Sequence, residues 1–124
     1  MRTSKNMNIQ DIYHYFQSPP PTYLSREIAV CFVAFVLTER GDSYGTALLR
    51  LIEDNYPHLQ LSCTVLHSAI DFLVKERVIR GYLQRYEGRG RSRKMYQICD
   101  DHFEEAVSLA LLWHQYVDGL PSLH

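Results

Sequence analysis

The sequence predicts a mainly α-helical domain carrying one small β-hairpin. Two patterns predict this class. Apolar residues recur at helical spacing through most of the chain, and the period changes to two between Val78 and Cys99. A third observation concerns charge. Eight of the thirteen Lys and Arg residues lie between Lys75 and Lys94, opposed only by Glu76 and Glu87. That stretch carries +6 and the rest of the chain −7, so a formal total of −1 hides a strong dipole of charge.

Length and composition bound the rest. At 124 residues and 46% apolar content, the chain suits one globular domain with a modest core. Dimer formation is a natural way for it to bury more surface. The longest apolar run, Ile28 to Leu37, is far short of the ~20 residues that cross a bilayer, so no membrane partner is expected. No apolar segment follows the basic start Met1 to Lys5, so no signal peptide is expected. Cys31, Cys63 and Cys99 are odd in number and far apart, which argues for reduced thiols and a cytoplasmic setting.

The first element is a short helix over Asn8 to Gln17, with Ile9, Ile12, Tyr13 and Phe16 on one face. Ser18-Pro19-Pro20-Pro21 stops it. It is too short to stand alone, so its stripe must dock on its own body or on a second subunit. Ser25 can cap the next helix, which runs to about Arg40 and stops at Gly41. Ile28 to Leu37 is apolar on every side. A buried strand would read similarly, but helix length and caps at both ends favour a buried central helix.

Asp42 or Ser43 is expected to open a further helix, with Tyr44, Leu48, Leu51 and Ile52 inward and Thr46, Arg50 and Glu53 outward. Pro57 disfavours helical geometry at Tyr56 and ends it. After a short linker, Ser62 is a good N-cap for a helix from Cys63 to about Glu76. Leu66, Ala69, Ile70 and Leu73 form one stripe of that helix. Thr64, His67, Ser68, Asp71 and Lys75 form the other, polar and compact. Two strands then flank the tip Gly88-Arg89-Gly90-Arg91-Ser92-Arg93, which reads as a hairpin. Asp101 with Glu104 resembles a capping box for a last helix reaching about Asp118, closed by Gly119 and Pro121. Apolar residues cover more than half of that helix, and one small domain covers only one face, so the remainder implies a partner helix.

The order helix, helix, helix, hairpin, helix is that of a winged helix-turn-helix, in which the second helix of the motif enters the DNA major groove. The expected organisation is an arm over 1–24, a winged helix-turn-helix DNA-binding domain over 25–99 and a C-terminal dimerisation helix over 100–124. Ser62, Thr64, His67, Ser68 and Lys75 are expected on the DNA-facing side of the recognition helix, where hydroxyls and imidazole reach base edges or phosphates. Arg85, Arg89, Arg91, Arg93 and Lys94 are expected on the wing, where guanidinium groups suit phosphates and a narrow minor groove. Asp71 repels phosphate; it can accept from a cytosine amino group or sit outside the groove. Double-stranded DNA is the expected partner.

Rival functions have less support. There is no P-loop, GxGxxG or GxSxG motif, so no enzyme is expected. No CxxC, HxH or HExxH spacing occurs, and neither a metal nor a cofactor is expected. Cys63 at a helix start leaves room for redox sensing, but it is read as a small buried cysteine. A ligand-responsive regulator, or an interaction module built on the last helix, remains open.

Three segments resemble PadR-like transcriptional regulators. Ser43-Tyr44-Gly45-Thr46-Ala47-Leu48-Leu49 is similar to the start of that family's second helix, and Leu61 to Leu73 to its recognition segment. Gly88 to Tyr96 resembles its wing. The resemblance spans about Arg26 to Gln97 and implies a homodimeric repressor. In the family the C-terminal helix, often aided by an N-terminal one, makes the dimer. The interface expected here comprises Ile9, Ile12, Tyr13 and Phe16 from the arm. From the last helix it takes Phe103, Val107, Leu109, Ala110, Trp113, Tyr116 and Val117. Two departures stand out: His67 where the family often has Tyr, and Arg77 where it has Gly.

Overall fold

The computed structural model describes residues 7–17, 21–85 and 92–120. In chain order these form α1 (Ile9–Gln17), β1 (Thr22–Tyr23), α2 (Arg26–Glu39), α3 (Gly45–Asn55), β2 (Leu59–Gln60), α4 (Cys63–Lys75), β3 (Ile79–Arg85), β4 (Ser92–Ile98) and α5 (Phe103–Asp118). The expected mainly helical class with one hairpin is the one observed.

The centre is α2. Ser25 opens it by accepting the Ile28 N–H at 3.2 Å, and it closes at Arg40 before Gly41, whose φ of +95° lies in the left-handed region that glycine tolerates. Ala29, Val30 and Phe32 to Leu37 are all buried. A helix apolar on every side needs neighbours all round, and α4 and α5 supply them. Trp113 of α5 is 1% exposed, with its ring centroid 5.0 Å from Phe32 and 5.4 Å from Tyr56. Trp113 is therefore core, and with Phe32 and Phe35 it holds α5 against α2.

This packing corrects part of the expected dimer face. Ala110 and Trp113 are buried in the protomer's own core, and Leu109, Tyr116 and Val117 are half-buried against it. The reason is α2, whose large apolar girth takes up this side of α5. What α5 leaves exposed is Phe103, Val107, Leu111 and Leu112. The expected capping box is also absent. The hairpin pairing continues to Cys99, whose N–H donates to Val78, and residues Asp100–His102 turn at once as a short 3₁₀ helix. The N-cap position falls on His102, with no side-chain cap.

The arm has its own start signal. Asn8 N–H donates to Asp11 Oδ2 at 3.1 Å, and Asp11 N–H donates to Asn8 Oδ1 at 2.9 Å, a reciprocal cap. None of the residues of α1 is buried; Ile9, Tyr13 and Phe16 are more than half exposed, so its stripe does not dock on its own body. After it, β1 pairs in parallel with β2, an element the sequence presents only as a linker. Thr22 N–H donates to the His58 carbonyl at 2.8 Å and Leu24 N–H to the Gln60 carbonyl at 2.9 Å. Buried Leu24 and Leu59 pin this short ladder to the core, two residues before the cap of α4.

Candidate nucleic-acid interface

The recognition helix is built from its buried side outward. Leu66, Ala69, Ile70 and Leu73 are no more than 2% exposed, so the core dictates the rotation of α4 about its axis. Ser62 caps it by accepting the Val65 N–H at 3.1 Å, as expected. Its hydroxyl is thereby committed to the helix start. Rotation and cap together put Thr64, His67, Asp71 and Lys75 in solvent, with Ser68 half-exposed.

At its far end α4 stops on Arg77, which has a φ of +63°. Val78 N–H donates to the Leu73 carbonyl and Arg77 N–H to the Val74 carbonyl, each at 3.0 Å. This is the Schellman arrangement, which normally takes glycine at the left-handed position. The Arg77 departure noted in the sequence therefore falls on a backbone position that disfavours a side chain.

The start of α3 differs from expectation, and the difference explains the wing. Neither Asp42 nor Ser43 caps the helix; Tyr44 occupies the N-cap position with no side-chain bond. Ser43 instead forms a backbone bridge with Tyr96 of β4, its N–H donating at 3.2 Å and its carbonyl accepting at 2.8 Å. Asp42 accepts the Tyr82 hydroxyl at 2.6 Å and the Gln97 amide at 3.3 Å. Both residues fasten the hairpin to the body. The Asp42 hydrogen bond also pushes the Tyr82 phenol above its ordinary pKa. The Tyr96 phenol is raised chiefly by burial and secondarily by the charge of Asp71. A third fastening is the Arg93 guanidinium, 3.8 Å from the centroid of the Tyr44 ring.

The strands pair antiparallel in the register Ile79↔Ile98 through Arg85↔Ser92, which sets Gly81 opposite Tyr96. A methyl at Gly81 would collide with the Lys94 side chain and press on the Tyr96 ring, so this glycine gives both residues their place.

Two concavities meet on α4. One, of about 310 Å³, lies between the starts of α3 and α4 and the wing; Tyr44, Gly45, Cys63, His67, Arg93 and Lys94 are among its walls. The other, of about 540 Å³, carries Thr64, His67, Ser68, Asp71 and Lys75 with Arg26 from α2. His67 belongs to both. The structure therefore gathers Thr64, His67, Ser68, Lys75, Arg93 and Lys94 on one continuous surface. Arg85 is exposed at the distal end of β3 and lines neither hollow. Arg89 and Arg91 of the expected tip lie outside the described residues. Arg80 departs from the cationic group: it donates to Gln97 and lines a separate hollow with Asp100 and Asp101.

Cys63 is exposed as the first residue of α4, a correction to its reading as a buried cysteine. Cys63 lies on the same side of α4 as Leu66, but at the open first position of that stripe, where it lines the hollow beside the wing and not the core. Arg26 was missed altogether. It lies far from the cationic stretch in sequence, and only the packing of α2 against α4 brings it to the site.

Comparison with known proteins gives the lineage. No family model and no curated protein matches the sequence. A solved structure of the circadian clock associated protein Pex from Anabaena is 48% identical, covers 90% of this chain and 96% of that one, and superposes with a TM-score of 0.79. Pex from Synechococcus sp. is 47% identical over 91% of this chain and 100% of that one, with a TM-score of 0.84. The chain belongs to the Pex family. A PadR family transcription regulator from Clostridium difficile, 16% identical over 73% of this chain and 91% of its own, has a TM-score of 0.55. That likeness shows the PadR-type winged-helix fold, in which α3 and α4 are the helix-turn-helix and β3–β4 the wing. Within this Pex-family chain, no helix of the described residues is long and apolar enough to cross a membrane.

Proposed function

We propose that the protein is a homodimeric, sequence-specific regulator of transcription that binds double-stranded DNA, acts as a repressor and serves circadian clock gene expression. One observation carries the DNA-binding part: His67 on the exposed stripe of α4 shares a hollow with Arg93 and Lys94 of the wing. A helix of compact polar residues beside paired cations suits a groove walled by phosphates. Wing and backbone cations supply most of the affinity, and Thr64, His67 and Ser68 supply the selectivity together with DNA shape. The clock assignment rests on the Pex relatives, one of which is described as circadian clock associated. The reading assigns no catalytic role, no cofactor and a cytoplasmic setting.

The dimer reading rests on surface that the protomer leaves uncovered. Ile9, Ile12, Tyr13 and Phe16 of α1, with Phe103, Val107, Leu111 and Leu112 of α5, are exposed large apolar side chains. Two such stripes in one small chain suit a second copy. In a dimer of this kind the two α4 helices enter successive major grooves about one helical turn apart.

A gel shift on the protein's own promoter region, with salt varied, tests the reading. Binding that weakens steeply with salt supports it; indifference to every duplex in dilute buffer overturns it. Leu111→Glu is expected to give folded monomers in sedimentation. A dimer that survives this change moves the interface elsewhere.

A further inference from the structure

We propose that Arg26 is a second-flank phosphate contact, so that the recognition helix is gripped by cations from both sides, by the wing on one and by the start of α2 on the other. This rests on the DNA-binding reading above and deepens it. Four observations carry the argument.

The first is position. Arg26 opens α2, yet it shares a concavity of about 540 Å³ with Thr64, His67, Ser68, Asp71 and Lys75 of α4. The second is the arrangement about His67. That residue lines this hollow and also the one holding Arg93 and Lys94, so the two hollows border the exposed ridge of α4 on either flank. A helix seated in a major groove about 12 Å wide has one phosphate strand on each side, and cations on both flanks match that geometry.

The third observation is availability. Arg26 is exposed, and among the described residues it makes no ion pair. Its neighbour Glu27 is turned about 100° round the helix and lines neither hollow. Asp71 does line the hollow of Arg26. A carboxylate there would repel a nearby phosphate, and Arg26 and Lys75 together outweigh it. Asp71 is left to face a base edge, while the two cations take the strand beyond.

The fourth is rigidity. Ser25 caps α2 through the Ile28 N–H, and Leu24 N–H is bound to the Gln60 carbonyl. The residues just before Arg26 are thus tied to β2, which leads directly into the cap of α4. The backbone at Arg26 is thereby joined through β2 to the start of the recognition helix, which sets this contact in register with the base-facing side chains.

The test uses the full-length protein and any duplex it binds. Arg26→Gln should weaken binding roughly ten-fold, the scale of one charge-assisted contact, on preferred and random duplexes alike. It should also make the slope of log affinity against log salt shallower by about one unit. Arg26→Lys should restore the slope, and circular dichroism of both variants should match the parent. Neutral methylphosphonate substitutions then locate the contact. Arg26→Gln and Arg93→Ala should each become silent when a phosphate is neutralised, and those phosphates should lie on opposite strands. A steep parental slope that Arg26→Gln leaves unchanged overturns the inference alone. Silencing by the same strand overturns the two-flank geometry. A parent protein that binds no duplex instead removes the DNA-binding reading itself.

Discussion

The recognition helix α4 and the wing β3–β4 both present residues to the candidate DNA surface, but they are held in different ways. α4 is set by four side chains sunk in the core, Leu66, Ala69, Ile70 and Leu73. The base of the wing has Ile79 and Met95 buried, but its aim toward α3 depends on a few polar and ring contacts: Asp42 with Tyr82 and Gln97 at the surface, the buried backbone bridge of Ser43 with Tyr96, and the half-buried Tyr44 with Arg93. A contiguous apolar core is expensive to disturb and leaves one orientation; a few separate polar and ring contacts are individually weaker and more adjustable. A helix that must match base edges gains from the first arrangement. A hairpin that follows a phosphate backbone of variable shape gains from the second.

Changes to the helix side of this comparison should have the largest effect on stability. Leu66→Ala is expected to cost about 2–5 kcal/mol and to lower the Tm by roughly 10 °C or more, read by thermal unfolding. A shift of a degree or two would mean that α4 is not core-determined. Tyr44→Leu removes the ring beneath Arg93, an interaction of about 1 kcal/mol at this half-buried site. DNA affinity should fall several-fold in a gel shift while the Tm barely moves. Loss of fold instead would show that the wing is as core-bound as α4.

The junction between the two regions offers a smaller change of opposite sign. Arg77→Gly should raise stability by about 0.4–1 kcal/mol in denaturant unfolding, because glycine meets the positive φ without strain. A loss would show that the Arg77 side chain repays its backbone cost elsewhere. The smallest effect concerns pH. The Tyr82 phenol is raised by donating to Asp42, so its contribution is full below the ordinary tyrosine pKa of about 10 and is lost as pH rises through the raised value. Tyr82→Phe should therefore abolish a fluorescence-monitored loosening of the wing in alkali and leave neutral-pH unfolding nearly unchanged. An identical alkaline transition in the variant would exclude this phenol as its source.

Much of this layout is legible in the sequence, for local reasons. Ser62 and Ser25 announce helix starts because a cap needs one oxygen next to one run of amide groups. The stripe of α4 can be read because four apolar residues recur at a fixed spacing on a half-buried helix. Arg77 stands out in the sequence because the resembling family has glycine there, at a helix end that usually wants one. The misreadings share a different origin. Asp42 and Ser43 have good capping chemistry, yet Tyr82, Gln97 and Tyr96 compete for them from 40 to 55 residues away in the chain. Trp113 and Ala110 look like interface because nothing local reveals that α2 claims that side of α5. The β1–β2 ladder is two residues long on each strand, too short to leave a periodic trace.

Order along the chain, the type of each long element and the cationic character of residues 75–94 were thus set by nearest neighbours, since caps, periodicity and charge act within a few residues. Which residues share a surface was decided only when the helices packed. Arg26 reached α4, Arg80 left for the acidic hollow and Trp113 turned inward through contacts between distant parts of the chain. Such contacts depend on how α2 fills its surroundings, a three-dimensional constraint that no short window of sequence contains.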